Sequence, residues 1–286
     1  MKPLKYYFKK AYKEKFAIGQ FNFSTFEQVK GIVAAAQNLK SPIILGTSEG
    51  ESKFVGLQEA VALRNVLRNK TGLPIFLNLD HGKSFDYLKK AIAAGYDMVH
   101  FDGSKLPLEE NIKISSQVAK YAKWRSVVVE GEVGRFGTDA SRLYTEKFEI
   151  KEENLTKPEE AKQYLHMANV DVLAVSVGTF HGLDVSGASP HIRLEKLQEI
   201  NAIGVPLVLH GGSGTPEEDI RKAIQSGIVK ININTESRVA FSHTLRKTLE
   251  ANKEEITPYK YLQDSVQAVQ QVVEEKIKLF GSNNRI

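Results

Sequence analysis

The chain has 286 residues, 42% hydrophobic and 26% charged, the balance of an ordinary globular protein with a sizeable core. A formal charge of +5 suits an anionic small-molecule substrate, while lysines scattered over helix-like segments, with no dense tract, argue against a nucleic-acid partner. There is no cysteine, so disulfides are excluded and any metal must be held by His, Asp or Glu.

The opening, MKPLKYYFKKAYKEK, lacks the apolar stretch of a secretory signal, and its charge run reads as a solvated helix face. No apolar run approaches the roughly 18 residues that span a membrane, so a cytoplasmic protein with no membrane partner is expected. Short apolar runs then recur along the chain. They predict strands at Phe16–Phe23, Pro42–Thr47, Pro74–Leu79, Asp97–Asp102, Ser126–Glu132, Asp171–Val177, Val205–His210 and Ile228–Asn234. Their near-continuous Val/Ile/Leu character fits parallel strands buried on both faces. Helical stretches lie between them. Ser24 is placed to cap FEQVKGIVAAAQNL, with Glu27 closing a capping box. Pro158 opens PEEAKQYLHMA, and Thr215-Pro216 opens PEEDIRKAIQSG, which Gly227 terminates. Eight such units at this length predict an α/β fold, a single (β/α)8 TIM barrel spanning residues 1–286 with extra terminal helices.

Chemistry on such a barrel sits at the C-terminal ends of the strands. Those ends read Asn22, Ser48, Asp80-His81, Asp102, Glu130 with Glu132, His181, His210, and Asn232 with Asn234. A ring of carboxylates, amides and imidazoles capping apolar strands points to an enzyme. Three of the seven histidines, His81, His181 and His210, follow apolar runs and precede a glycine. Three neutral imidazoles with one open position are the ligand set of a catalytic zinc. Asp80, directly before His81, is placed either for acid/base work beside the metal or as a partner of a neighbouring imidazole. Asp102 and Glu132 offer a second metal position, an orienting role toward the histidines, or plain salt bridging in the barrel mouth. His100 lies one layer deeper as a buried supporting group, and His166, His191 and His243 read as surface residues. The loop Gly211-Gly212-Ser213 after strand 7, with Asn232-Ile233-Asn234-Thr235 ending strand 8, offers backbone N–H groups and a hydroxyl where barrel enzymes often bind phosphate.

The segments GQFNFSTFEQ, SPIILGTSEG, LDHGKSF, FDGSKLPLEENI, VEGEVGRFG, AVSVGTFHG, LVLHGGSG and KININTE, in that order, resemble the successive motifs of class II ketose-bisphosphate aldolases. The likeness runs from about Phe16 to Phe280. It implies a zinc enzyme that reversibly cleaves fructose 1,6-bisphosphate to dihydroxyacetone phosphate and glyceraldehyde 3-phosphate. On that likeness Asp80 is the proton donor, and His81, His181 and His210 are the zinc ligands. Gly182, Gly211 to Ser213 and Asn232 to Thr235 form the dihydroxyacetone phosphate site, with Asn22 and Ser48 as further substrate contacts. It also implies a homodimer or homotetramer and a monovalent cation near the phosphate. Two departures stand out. The loop after strand 5 reads GRFGTDASRLYTEKFE where relatives carry a GGxED-like segment, which makes Asp139, ahead of Glu146, the expected second proton-transfer group. Gly134, Gly137 and Thr138 to Ser141 give this loop the composition of a mobile lid. Fructose-type members also often place a lysine shortly after the HG of strand 6, whereas this chain reads HGLDVSGASP.

Rival readings remain. Within the family, tagatose 1,6-bisphosphate or another phosphorylated ketose is the alternative substrate, although NINTE is closer to fructose-type members than the NVATE of some tagatose-type ones. A zinc hydrolase would more usually show an HxH pair on the first strand, where this chain has FNF. A non-catalytic phosphosugar-binding barrel would have little use for Asp80 beside three histidines.

Overall fold

The computed structural model describes residues 1–136, 143–145, 150–184 and 191–286. Asp139 and Glu146, with Gly137 and Thr138 to Ser141, lie outside them. Eight parallel strands close into a barrel: β1 (Ile18–Asn22), β2 (Ile43–Ser48), β3 (Ile75–Gly82), β4 (Met98–Phe101), β5 (Val128–Val133), β6 (Val172–Val175), β7 (Leu207–Leu209) and β8 (Ile228–Ile233). Each pairs with its sequence neighbours, and β1 pairs with β8 to seal the ring. All eight fall inside or beside the predicted runs. The main difference is β3, which continues past Leu79 through Asp80 and His81 to Gly82.

Helices surround the barrel: α1 (Leu4–Glu14), α2 (Phe26–Leu39), α3 (Glu49–Val55), α4 (Leu57–Thr71), α5 (Phe85–Ala94), α6 (Leu108–Lys123), α7 (Pro158–Ala168), α8 (Leu194–Asn201), α9 (Glu217–Gln225), α10 (Thr235–Ala251), α11 (Pro258–Tyr261) and α12 (Gln263–Leu279). Among the described residues none is long and apolar enough to cross a membrane. Pro158 occupies the first turn of α7 and Gly227 (φ 98°) follows α9, as the sequence suggests. The cap of α2 sits one residue later than predicted. Thr25, not Ser24, accepts the Gln28 N–H at 3.4 Å, and Gln28 Oε1 accepts the Ser24 and Thr25 N–H groups in return. Gln28 is buried, and an amide costs less there than the charge of the predicted Glu27.

Period-two alternation sorts the barrel interior into layers. Ile18, Ile44, Phe76, Met98, Val128, Val172 and Val208 form an apolar floor. Helix α1 closes this end. Leu4, Tyr7, Phe8 and Ala11, at i, i+3, i+4 and i+7, are buried against the floor, while its lysines face outward. The predicted solvated face is therefore one side of an amphipathic plug. Two and four residues further along the same strand faces come Gln20 and Asn22, Asn78 and Asp80, Glu130 and Glu132, and Lys230 and Asn232, all buried. The floor is apolar and the rim is polar.

Candidate active site

Asp80 and His81 are adjacent on β3, so regular alternation would send their side chains to opposite faces. Instead both line one cleft. His81 adopts a left-handed backbone (φ 51°), and the β3–β4 register shifts between Leu79 and Gly82. The bulge turns the His81 imidazole inward. A non-glycine residue in that region is strained, and here the His81 N–H is held by His100 Nδ1 at 3.1 Å.

Three imidazole nitrogens meet in the cleft. His81 Nε2 lies 3.1 Å and His181 Nε2 3.5 Å from His210 Nδ1. A tetrahedral ion with nitrogens at about 2.0–2.1 Å would space them roughly 3.3–3.4 Å apart. The two separations from His210 Nδ1 bracket that spacing. Carboxylates hold the other faces of two of these rings. Asp102 Oδ2 is 3.0 Å from His81 Nδ1, and Glu130 Oε1 is 2.6 Å from His210 Nε2. Such pairs fix the ring orientation and tautomer of a metal-binding histidine. Glu130 in turn accepts from the buried Lys230 at 2.7 Å. Behind them, Glu132 Oε2 lies 3.0 Å from His100 Nε2 and 4.0 Å from His81 Nδ1. Phe136 packs its ring 4.8 Å from that of His181.

Electrostatics follow from burial and these contacts. Burial pushes His181 well below the ordinary histidine range, helped by the charges of His81 and His210, and also lowers His210 against the pull of Glu130. Both favour the neutral imidazole that binds a metal, whereas at His81 the carboxylates of Asp80 and Asp102 overcome burial and raise the pKa. Burial would raise the pKa of Asp80, but His81, His100, His210 and Lys230 outweigh it and hold the carboxyl well below its usual range. Asp80 is thus an acceptor from Asn22 Nδ2 at Oδ2 (3.0 Å) and from Asn232 Nδ2 at Oδ1 (3.1 Å).

The cleft is open to solvent and is lined by Asp80, the three histidines, Gly182, Gly211, Ser213, Asn232, Asn234 and Thr235. Gly211 (φ 68°) lets the loop after β7 press close, since a Cβ there would lie 2.3 Å from the Phe180 carbonyl oxygen. Thr235 opens the 17-residue α10, whose N-terminal N–H groups favour an anion. The side-chain oxygens of Asn232 and Asn234 are buried and accept no hydrogen bond from the described residues.

Other predicted residues fall outside the cleft lining. Ile233 points into the core and Gly212 packs against Ile231. Ser48 caps α3, its Oγ accepting the Glu51 N–H. Asn22 is held between Asp80 and Glu51. Sequence reasoning passed over Glu51, Lys230, Gln20 and Phe136. A lysine inside the apolar run GIVKININ, in register with Asn232, was the available signal for Lys230. The S-x-x-E spacing was the signal for Glu51.

Comparison with known proteins adds independent findings. Residues 2–285 match the family model described as fructose-bisphosphate aldolase class-II. The chain is 37% identical over 278 residues to a probable fructose-bisphosphate aldolase of Bacillus subtilis (strain 168), covering 96% of this chain and 95% of that one. It is 39% identical over 279 residues to a 6-phospho-5-dehydro-2-deoxy-D-gluconate aldolase of Shouchella clausii, covering 96% and 92%. Among solved structures it is similar to the YdjI aldolase from Escherichia coli K12, with a TM-score of 0.81, 26% identity, and coverage of 99% and 98%.

Proposed function

The chain belongs to the class II fructose-bisphosphate aldolase family, and from that premise we propose that its cleft performs the reversible cleavage of fructose 1,6-bisphosphate to dihydroxyacetone phosphate and glyceraldehyde 3-phosphate. It is a carbon–carbon lyase of a family that is zinc-dependent and acts on phosphorylated sugars. The observation that supports the site assignment is that His81 Nε2 and His181 Nε2 lie 3.1 and 3.5 Å from His210 Nδ1 in a cleft that also holds the Asp80 carboxylate.

In this reading His81, His181 and His210 hold the zinc. When bound, zinc supplies a Lewis acid that stabilises the negative charge left when the C3–C4 bond breaks, an effect worth several kcal/mol. Asp80, an ionised acceptor, takes the proton from the C4 hydroxyl during cleavage and returns it during condensation. The unpartnered oxygens of Asn232 and Asn234 accept substrate hydroxyls. Gly182, Gly211 and Ser213 bind the phosphate of the dihydroxyacetone half together with Thr235, and Gly212 and Ile233 support that backbone. Asn22 and Ser48 border the aldehyde half. Asp102 orients His81 through Nδ1, and the alternative role for Asp102 with Glu132 is a second metal position, their donor atoms and that of His81 lying within 4.8 Å of one another. A monovalent cation near the phosphate, a cytoplasmic location and a single-domain homodimer or homotetramer rest on the family resemblance. Asp139 is assigned the proton transfer at C3 of dihydroxyacetone phosphate, with Glu146 as its rival. Loss of solvent exchange of that proton in Asp139→Ala, and its retention in Glu146→Ala, would support the choice.

Substrate identity is the point to test, because the Shouchella relative carries a different substrate in its name. The zinc-loaded chain should show its highest kcat/KM on fructose 1,6-bisphosphate when compared with tagatose 1,6-bisphosphate and 6-phospho-5-dehydro-2-deoxy-D-gluconate. Chelation should abolish turnover, and zinc should restore it. Preference for either competitor would reassign the substrate, and turnover that survives chelation would overturn the metal assignment.

A further inference from the structure

We propose that Glu51, on α3, is a positioning residue that sets the orientation of Asp80 through the amide of Asn22. This rests on the reading of Asp80 as the proton-transfer group. Glu51 Oε2 accepts from the Ser48 N–H at 2.7 Å and from Asn22 Nδ2 at 3.1 Å, and the same Asn22 nitrogen donates to Asp80 Oδ2 at 3.0 Å. One amide therefore bridges two carboxylates. Its orientation is fixed from the other side, where Gln20 Nε2 donates to Asn22 Oδ1 at 3.0 Å and Asn78 Nδ2 donates to Gln20 Oε1 at 2.8 Å. With its carbonyl occupied, Asn22 can only present N–H groups to Glu51 and Asp80. Gly46 leaves the room this needs, since a Cβ there would lie 2.1 Å from Asn22 Oδ1.

A helix cap alone does not account for Glu51. A capping box uses one oxygen of a first-turn side chain, and a glutamine serves as well as a glutamate. Here the carboxylate is only 7% exposed, and its second oxygen is paired with Arg238. Burying a charge is costly unless it is paired. Arg238 comes from α10, which follows β8, while Glu51 follows β2. The pair thus reaches over β1, the strand between them, and β1 carries Asn22. The guanidinium balances Glu51 so that the amide can serve both carboxylates. Asn232 fixes the other oxygen of Asp80, leaving the plane of the carboxyl defined from two sides.

The test compares Glu51→Asp, Glu51→Gln and Asp80→Ala, each zinc-loaded and with zinc content measured. Two reactions are followed: cleavage of fructose 1,6-bisphosphate, and solvent exchange of the C3 proton of dihydroxyacetone phosphate without aldehyde, a reaction with no C4 hydroxyl and so no task for Asp80. Glu51→Asp keeps the charge and suits a first helical turn, but it is one methylene too short to hold Asn22. It should lower the kcat of cleavage by about tenfold or more, the scale of a misplaced reacting group, with KM, zinc content and proton exchange unchanged. Glu51→Gln keeps the reach and an acceptor oxygen for Asn22 but turns an N–H toward Arg238, and should recover only part of the rate. Wild-type cleavage by Glu51→Asp beside an impaired Asp80→Ala would overturn the proposal and leave the Asp80 reading intact. So would proton exchange falling in step with cleavage, the mark of general distortion, or a glutamine variant no better than the aspartate. Wild-type cleavage by Asp80→Ala would instead remove the premise.

Discussion

Asp80 has both carboxylate oxygens engaged by protein amides, Asn22 on one side and Asn232 on the other, within hydrogen-bonding distance. Those bonds aim the carboxylate, and the positioning of the acceptor is what they contribute to proton transfer, since stabilising its charge makes it a weaker base. Replacing Asp80 with alanine removes the acceptor but none of the three imidazoles. The variant should keep its zinc and its KM while kcat falls by about 10²–10⁴-fold, measured by steady-state cleavage alongside metal analysis. Unchanged turnover would return Asp80 to a purely structural role. The position of Asp80 could be read from DHG following an apolar run. Its partnership with His81 in one cleft could not, because alternation assigns neighbours to opposite faces and the bulge that overrides it leaves no mark in composition. The same limit hid Glu51. Its S-x-x-E spacing signals a helix start, and only the closing of β1 against β2 and β8 brings it to Asn22 and Arg238.

Helix α1 shows how an element can be read half correctly. Charged residues dominate MKPLKYYFKKAYKEK by count, yet Leu4, Tyr7, Phe8 and Ala11 repeat at helical spacing and close the barrel floor. Weighing the period above the charge would have exposed the plug. Phe8 is 2% exposed and packs in the floor cluster, so Phe8→Ala removes most of a buried ring from a site that cannot collapse far. The expected cost is about 3–5 kcal/mol, read as a lower urea midpoint. The rim lies at the opposite end of the strands, so KM and kcat of the folded fraction should not move. A large kinetic change with little loss of stability would mean that α1 communicates with the cleft. The strands themselves were the most readable elements, because long Val/Ile/Leu runs identify a buried parallel sheet whatever the loops do. Their ends shifted by a few residues where bulges and caps, not hydrophobicity, set the boundary.

Across the whole molecule the proposed metal ties together segments far apart in sequence. His81 and His210 are 129 residues apart, and His181 reaches the same point from the loop after β6. An ion held by all three acts as a cross-link that the unfolded chain cannot offer, so its binding energy adds to folding. At zinc a thousandfold above its dissociation constant the gain is about 4 kcal/mol. For a chain of this size that corresponds to a melting temperature higher by on the order of 10 °C. Chelation should remove the gain from the wild-type protein. His210→Ala, lacking one ligand, should melt alike with and without chelator. Phe8→Ala should show the full zinc-dependent rise on a lower baseline, because Phe8 packs in the floor cluster and the three histidines line the cleft at the opposite end of the strands. Scanning calorimetry of the three proteins, with and without zinc, provides the measurement. A wild-type melting point indifferent to zinc would show that the histidines do not bind it as a folded-state cross-link. A zinc response lost in Phe8→Ala would show instead that the rim depends on the plug, and that the barrel folds and binds metal as one cooperative unit.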